Sequence, residues 1–151
     1  MSTEGPPRGT AAIGPAPAGC FTWPVRVYWE DTDAGGVVFY ANYLKFFERC
    51  RTEWMRRAGH DQSALASEAG IGFVARKASC EYLKPARLDD ALSVGLEVER
   101  LPRVRVVFRH HARRGDEELV TGTVEIACVD MATLKPAPIP DFLYAKLEAL
   151  K

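Results

Sequence analysis

Residues 22–59 read TWPVRVYWEDTDAGGVVFYANYLKFFERCRTEWMRRAG, and three changes of pattern inside this stretch decide the fold. Thr22 to Trp29 is β-branched and aromatic, which predicts a strand, with Pro24 placing its start at an edge or a bulge. Residues 30–36, EDTDAGG, have the composition of a turn. Beyond them Tyr40, Tyr43, Leu44, Phe47, Trp54, Met55 and Ala58 recur at helical spacing, while Asn42, Lys45, Glu48, Arg49, Thr52, Glu53 and Arg56 fill the opposite side. That pattern is a long amphipathic helix ending at Gly59, apolar enough on one face to be central to a domain.

Working outward, a short helical stretch runs from Gln62 to Ala69 and stops at Gly70. Four strand-like runs follow at 72–84, 90–101, 103–113 and 117–130. In the second, Leu92, Val94, Leu96 and Val98 share a face; in the fourth, Val120, Gly122, Val124, Ile126 and Cys128 do. Leu101-Pro102 and Arg114-Gly115-Asp116 connect them, so an antiparallel meander is expected, closed by a short helix that Asp141 caps and that reaches Leu150. The class is α+β, one sheet curling around one helix; a doubly wound parallel fold is excluded because no helices separate the last four strands. Residues 1–20 hold four Gly, four Pro and four Ala, too little apolar surface to offset ordering, and are expected to be a tail before a single domain at 21–151.

At 151 residues the chain suits one domain with a real core. Twenty basic residues balance twenty acidic ones, so no global field draws nucleic acid or an anionic membrane. No window is apolar enough to span a membrane, and no secretory apolar core is visible. Cys20, Cys50, Cys80 and Cys128 are widely spaced, as free thiols of a cytoplasmic protein would be, and form no metal or redox pair. His60, His110 and His111 show no metal spacing; His110 and His111 point to opposite faces of a strand and are expected to face solvent or be satisfied at an edge. The phosphate-loop, dinucleotide-binding, serine-elbow and zinc-protease motifs are absent.

Chemistry concentrates in Asp31-Thr32-Asp33-Ala34-Gly35-Gly36, at a strand-to-helix junction. Paired carboxylates and glycines there let a ligand approach the backbone and reach the free amides of a helix N-terminus, which would also stabilise an oxyanion. The same residues also make a plain tight turn in which the aspartates cap and the glycines supply positive φ. A calcium loop is disfavoured, because the twelfth position from Asp31 is Asn42 instead of Glu.

The longer run VRVYWEDTDAGGVVFYANYLKFFERCRTE at 25–53, with YLKPARLDD at 82–90, resembles acyl-CoA thioesterases of the hot-dog fold, both the 4-hydroxybenzoyl-CoA thioesterase group and the Tol-Pal-associated group. The resemblance extends from about residue 21 to the end. It implies a curved antiparallel sheet wrapped around one long helix, and hydrolysis of acyl-CoA thioesters without metal or redox cofactor. It makes Asp33 the catalytic carboxylate, as nucleophile or as general base on water, and the Tyr40 N–H the donor that polarises the thioester oxygen. Phe73 aligns with a family position that lines the acyl pocket across the dimer, with an ordinary core Phe as the alternative. Read from the residues themselves, Gly36 lets substrate approach closely, and Arg103 and Arg105 are either contacts for coenzyme A phosphates or plain solvated surface arginines. The Tol-Pal-associated group has His where this chain has Tyr40 and Tyr where it has Trp29, which bears on acyl preference and pH profile. Glu48, on the helix, is expected in solvent or an inter-subunit ion pair, and Asp31 as a cap. Open edge strands favour pairing of two subunits; the resemblance implies that the active site lies at that dimer interface and that dimers pair into tetramers. The rivals are a hot-dog dehydratase or isomerase using His60, and a catalytically weak acyl-binding scaffold of an envelope-associated complex.

Overall fold

A computed structural model describes residues 19–151. Strand β1 (Phe21–Arg26) is followed by a single 3-10 turn at Trp29–Asp31, then by helix α1 (Asn42–Arg57). A short α2 (Gln62–Ala64) runs into a π-turn at Leu65–Ala69, which ends at the left-handed Gly70 (φ 67°). Strands β2 (Ile71–Tyr82), β3 (Ala91–Arg100), β4 (Arg105–Arg114) and β5 (Glu117–Asp130) follow, and α3 (Asp141–Glu148) closes the chain. The five strands form one antiparallel sheet in the order β1-β3-β4-β5-β2, with α1 against it, the hot-dog arrangement. The tail expected at 1–20 lies outside the described residues except for Gly19 and Cys20.

Three sequence expectations need correction. The first strand ends at Arg26 and not Trp29, because the Asp31 carboxylate accepts the Tyr28 N–H at 2.8 Å and pulls the chain into a 3-10 turn. The last four strands are not one meander: only β3-β4-β5 are, since β1 takes the free edge of β3 and β2 pairs with β5 at the far side. Residues 83–90 make that crossover, past the start of α1, where the Val38 N–H donates to Ala86 O (2.9 Å). Asp141 does not cap α3 through its side chain; its carboxylate meets Arg103 instead.

The helix face also turns relative to the wheel. Its buried stripe is Tyr43, Phe46, Phe47, Cys50 and Trp54, whereas Tyr40 and Leu44 are exposed. Asn42, assigned to the polar side, is buried. The expected faces of β3 and β5 are buried throughout. Helix and sheet approach closely at Gly122, where an added Cβ would sit 2.5 Å from Phe47 Cε2. Phe47 is fully buried and cannot swing away, so Gly122→Ala is expected to cost about 1–3 kcal/mol by overpacking, read as a lowered urea midpoint at unchanged slope.

Candidate active site

The acidic turn is built by its own side chains. Asp33 N–H donates to Val37 O (2.9 Å), Gly36 N–H to Asp33 O (3.0 Å), and Thr32 bridges Val38, giving a small hairpin. Gly36 holds φ 79°, which is why glycine stands there: a Cβ would meet nothing, but the backbone region excludes most side chains. Gly35 N–H donates to Asp33 Oδ1 at 2.8 Å, fixing one carboxylate oxygen; the other, on an exposed residue, has no hydrogen-bond donor among the described residues.

Asp31 does different work. Only 4% exposed, it accepts Tyr28 N–H at Oδ2 and Asn42 Nδ2 at Oδ1, both at 2.8 Å, while its carbonyl takes the Phe39 N–H (2.9 Å). It therefore caps the 3-10 turn and ties it to the first residue of α1. The sequence contained Asn42, but its polarity hid this role.

From that brace the chain enters α1 through Phe39, Tyr40 and Ala41. Tyr40 is 65% exposed, and its N–H donates to no acceptor among the described residues. Its carbonyl accepts the Tyr82 hydroxyl at 2.7 Å, so β2 anchors the peptide next to the helix start. The rings of Phe39 and Tyr82 lie 4.7 and 6.4 Å from that of Tyr40. Burial pushes the Tyr82 hydroxyl up to about 12, so it remains a donor. Tyr82 was missed as a site residue; it opens the YLKPARLDD segment, and only the fold brings it to Tyr40.

Other candidates fall elsewhere. Arg103 meets Asp141 and lies over the Tyr144 ring (4.8 Å), and Arg105 faces Glu125 at 3.4 Å. Phe73, on β2, lines a cavity of about 220 Å³ against α1, β4 and α3, together with Arg51 and Phe108. Glu48 is exposed on the rim of the same cavity. His60 follows the far end of α1, its ring against Phe142. His110 contradicts the expectation of a solvent or edge histidine: it is fully buried, stacked on Phe47 (4.7 Å, 8°), its ring nitrogens 3.0 Å from Gly95 O and Arg51 Nη1. Its inward position follows from strand alternation, and desolvation lowers its pKa to about 3. His111, on the other face, meets Glu118 at 2.6 Å. Among the described residues no three His, Cys, Asp or Glu side chains converge where a metal could sit, and no helix is long and apolar enough to cross a membrane.

A five-stranded antiparallel sheet packed against one long helix, with an exposed carboxylate on the turn before that helix, defines a hot-dog protein. Residues 27–147 match the thioesterase-like superfamily, and the chain belongs to that family. The chain is 42% identical over 131 residues to the acyl-CoA thioesterase YbgC of Haemophilus influenzae, covering 87% of this chain and 96% of that one. It is 30% identical to the 1,4-dihydroxy-2-naphthoyl-CoA hydrolase of Thermosynechococcus vestitus, over 82% of this chain and 85% of that. Among solved structures, the DHNA-CoA thioesterase of Staphylococcus aureus superposes with a TM-score of 0.78 at 25% identity, over 87% of this chain and 92% of that.

Proposed function

We propose that this protein hydrolyses acyl-CoA thioesters to a free acid and coenzyme A, with Asp33 as the catalytic carboxylate. The observation that carries this reading is an exposed Asp33 on the turn that leads into α1, with one carboxylate oxygen and, at the helix entry, the Tyr40 N–H both without a partner among the described residues. Asp33 either deprotonates a water that attacks the thioester carbon, or attacks it directly to give a mixed anhydride that water opens. In both routes negative charge develops on the thioester oxygen, where the Tyr40 amide donates, and collapse expels the thiolate of coenzyme A. Gly36, without a side chain, leaves the approach to that carbonyl open. Arg103 and Arg105 are the proposed phosphate contacts, each exchanging a carboxylate partner for phosphate.

We further propose a cytoplasmic homo-oligomer, dimer or tetramer, in which the Phe73 pocket of one copy serves the Asp33 turn of another. Support comes from β2, a 12-residue edge strand, and from exposed Tyr28, Trp29, Phe39 and Leu83, apolar area that a lone subunit would leave in water. The test is free-thiol release from benzoyl-, short and long aliphatic acyl-CoA. Release at the uncatalysed rate throughout rejects hydrolysis and favours the acyl-binding scaffold. In the same assay Tyr82→Phe, which frees the Tyr40 carbonyl, is expected to lower kcat about threefold to tenfold with KM unchanged.

A further inference from the structure

The cavity beside Phe73 contains a group that the reaction does not use. Arg51, on the third turn of α1, lines it among apolar side chains such as Trp54, Phe108 and Leu143. Its Nη1 lies 3.0 Å from His110 Nε2, while His110 Nδ1 lies 3.0 Å from Gly95 O. With a carbonyl on Nδ1, the imidazole proton sits there and Nε2 is left to accept from Arg51. The partner of the guanidinium is therefore neutral, and among the described residues no carboxylate lies within 4.0 Å of it. Glu48 is exposed at the rim, where solvent screens its charge; it acts on Arg51 only through space.

A guanidinium carries five N–H donors in a planar fork suited to a carboxylate, and buried cations are ordinarily paired. Here, among the described residues, Arg51 has no carboxylate in contact, only Glu48 at longer range, at the wall of a mostly apolar cavity. At about 220 Å³ the cavity is smaller than the roughly 300–1,000 Å³ of ordinary ligand sites, which favours a short occupant. We propose that this cavity receives the distal end of the acyl group, and that Arg51 selects short acyl chains ending in a carboxylate. The proposal rests on the thioesterase reading and names its substrate class: the coenzyme A thioesters of short dicarboxylic acids. No covalent step is added. Arg51 is a specificity residue, apart from the carboxylate and amide that act on the thioester.

The test compares glutaryl-CoA with pentanoyl-CoA, equal in chain length and differing in the terminal carboxylate, on the full-length protein. The expected kcat/KM favours glutaryl-CoA by at least about tenfold, and Arg51→Gln removes the preference while Arg51→Lys retains part of it. A wild-type ratio at or below one overturns the proposal without recourse to any variant. A glutaryl preference that survives in Arg51→Gln overturns the role of Arg51. If neither ester is hydrolysed while another acyl-CoA of the panel is, the proposed substrate class is overturned; if no acyl-CoA is hydrolysed, the thioesterase reading fails and calorimetry with free glutarate and pentanoate decides the site separately. Binding of glutarate alone, lost in Arg51→Gln, supports the carboxylate site; equal binding or none overturns it.

Discussion

Asp33→Asn is expected to lower kcat for thioester hydrolysis by about 10²–10⁴-fold, with little change in thermal stability. The substitution keeps an amide oxygen that can accept the Gly35 N–H, so the turn that carries residue 33 stays closed. Residue 33 is exposed, so its neutralisation disturbs no buried partner and stability should move by no more than about 0.5 kcal/mol. What is lost is the negative oxygen, needed by both the nucleophile and the base route. Asp31→Asn is the matched control and should behave in the opposite way. Both Asp31 oxygens accept from N–H donors, Tyr28 and Asn42, so an amide there turns its NH₂ toward a donor in a buried site. That variant is expected to lose about 1–3 kcal/mol of stability. Thiol release and thermal unfolding on the two variants together separate chemistry from support. Full activity in Asp33→Asn removes Asp33 from the reaction.

The contrast between these two aspartates marks what could be read from the chain. Local patterns were legible: the alternation of β3 and β5, the helix ending near Gly59, the left-handed stop at Gly70. Each depends on residues a few positions apart. The resemblance of 25–53 placed Asp33 and Tyr40, and the structure sets them on one turn and the adjoining helix entry. What failed was long-range. The place of β2 beside β5 depends on β1 claiming the edge of β3, a competition between segments far apart in the chain. Asn42 looked like surface because its partner, Asp31, lies eleven residues away across a turn. Tyr82 reaches the Tyr40 carbonyl from 42 residues away, and nothing near either residue announces that bond. His110 was misjudged for a related reason: alternation put the paired histidines on opposite faces, but the partners that make a buried imidazole tolerable, Phe47, Arg51 and Gly95, lie far away in the chain.

That buried imidazole sets the second large effect, a loss of stability in mild acid. His110 has a folded pKa of about 3 against an ordinary 6.5, because burial disfavours the imidazolium and the Arg51 charge repels it. Between those values the unfolded chain binds a proton that the folded chain refuses, so stability rises with pH across this window and is lost as pH falls below 6.5. One such site removes up to about 1.4 kcal/mol per pH unit, or about 2 kcal/mol between pH 6.5 and 5. The range above pH 5 separates it from the depressed carboxylates: Glu117, Glu118 and Asp130 are held below their ordinary values of 4.5, 4.5 and 3.8 by Arg114, by His111 and by the Thr133 and Ala132 amides, so the stability they contribute is lost mainly as pH falls through those ordinary values. His110→Gln is the decisive comparison. A glutamine can donate to Gly95 O and accept from Arg51 without titrating, so its unfolding free energy should lie below that of the wild type at pH 7.5 yet fall less steeply toward pH 5. Urea unfolding at several pH values measures both slopes, and parallel slopes would assign the acid loss to other groups. The same bonds link this result to the cavity: protonating His110 removes the acceptor that positions Arg51 and sets two cations 3.0 Å apart, so the element that orients the guanidinium also limits the fold in acid.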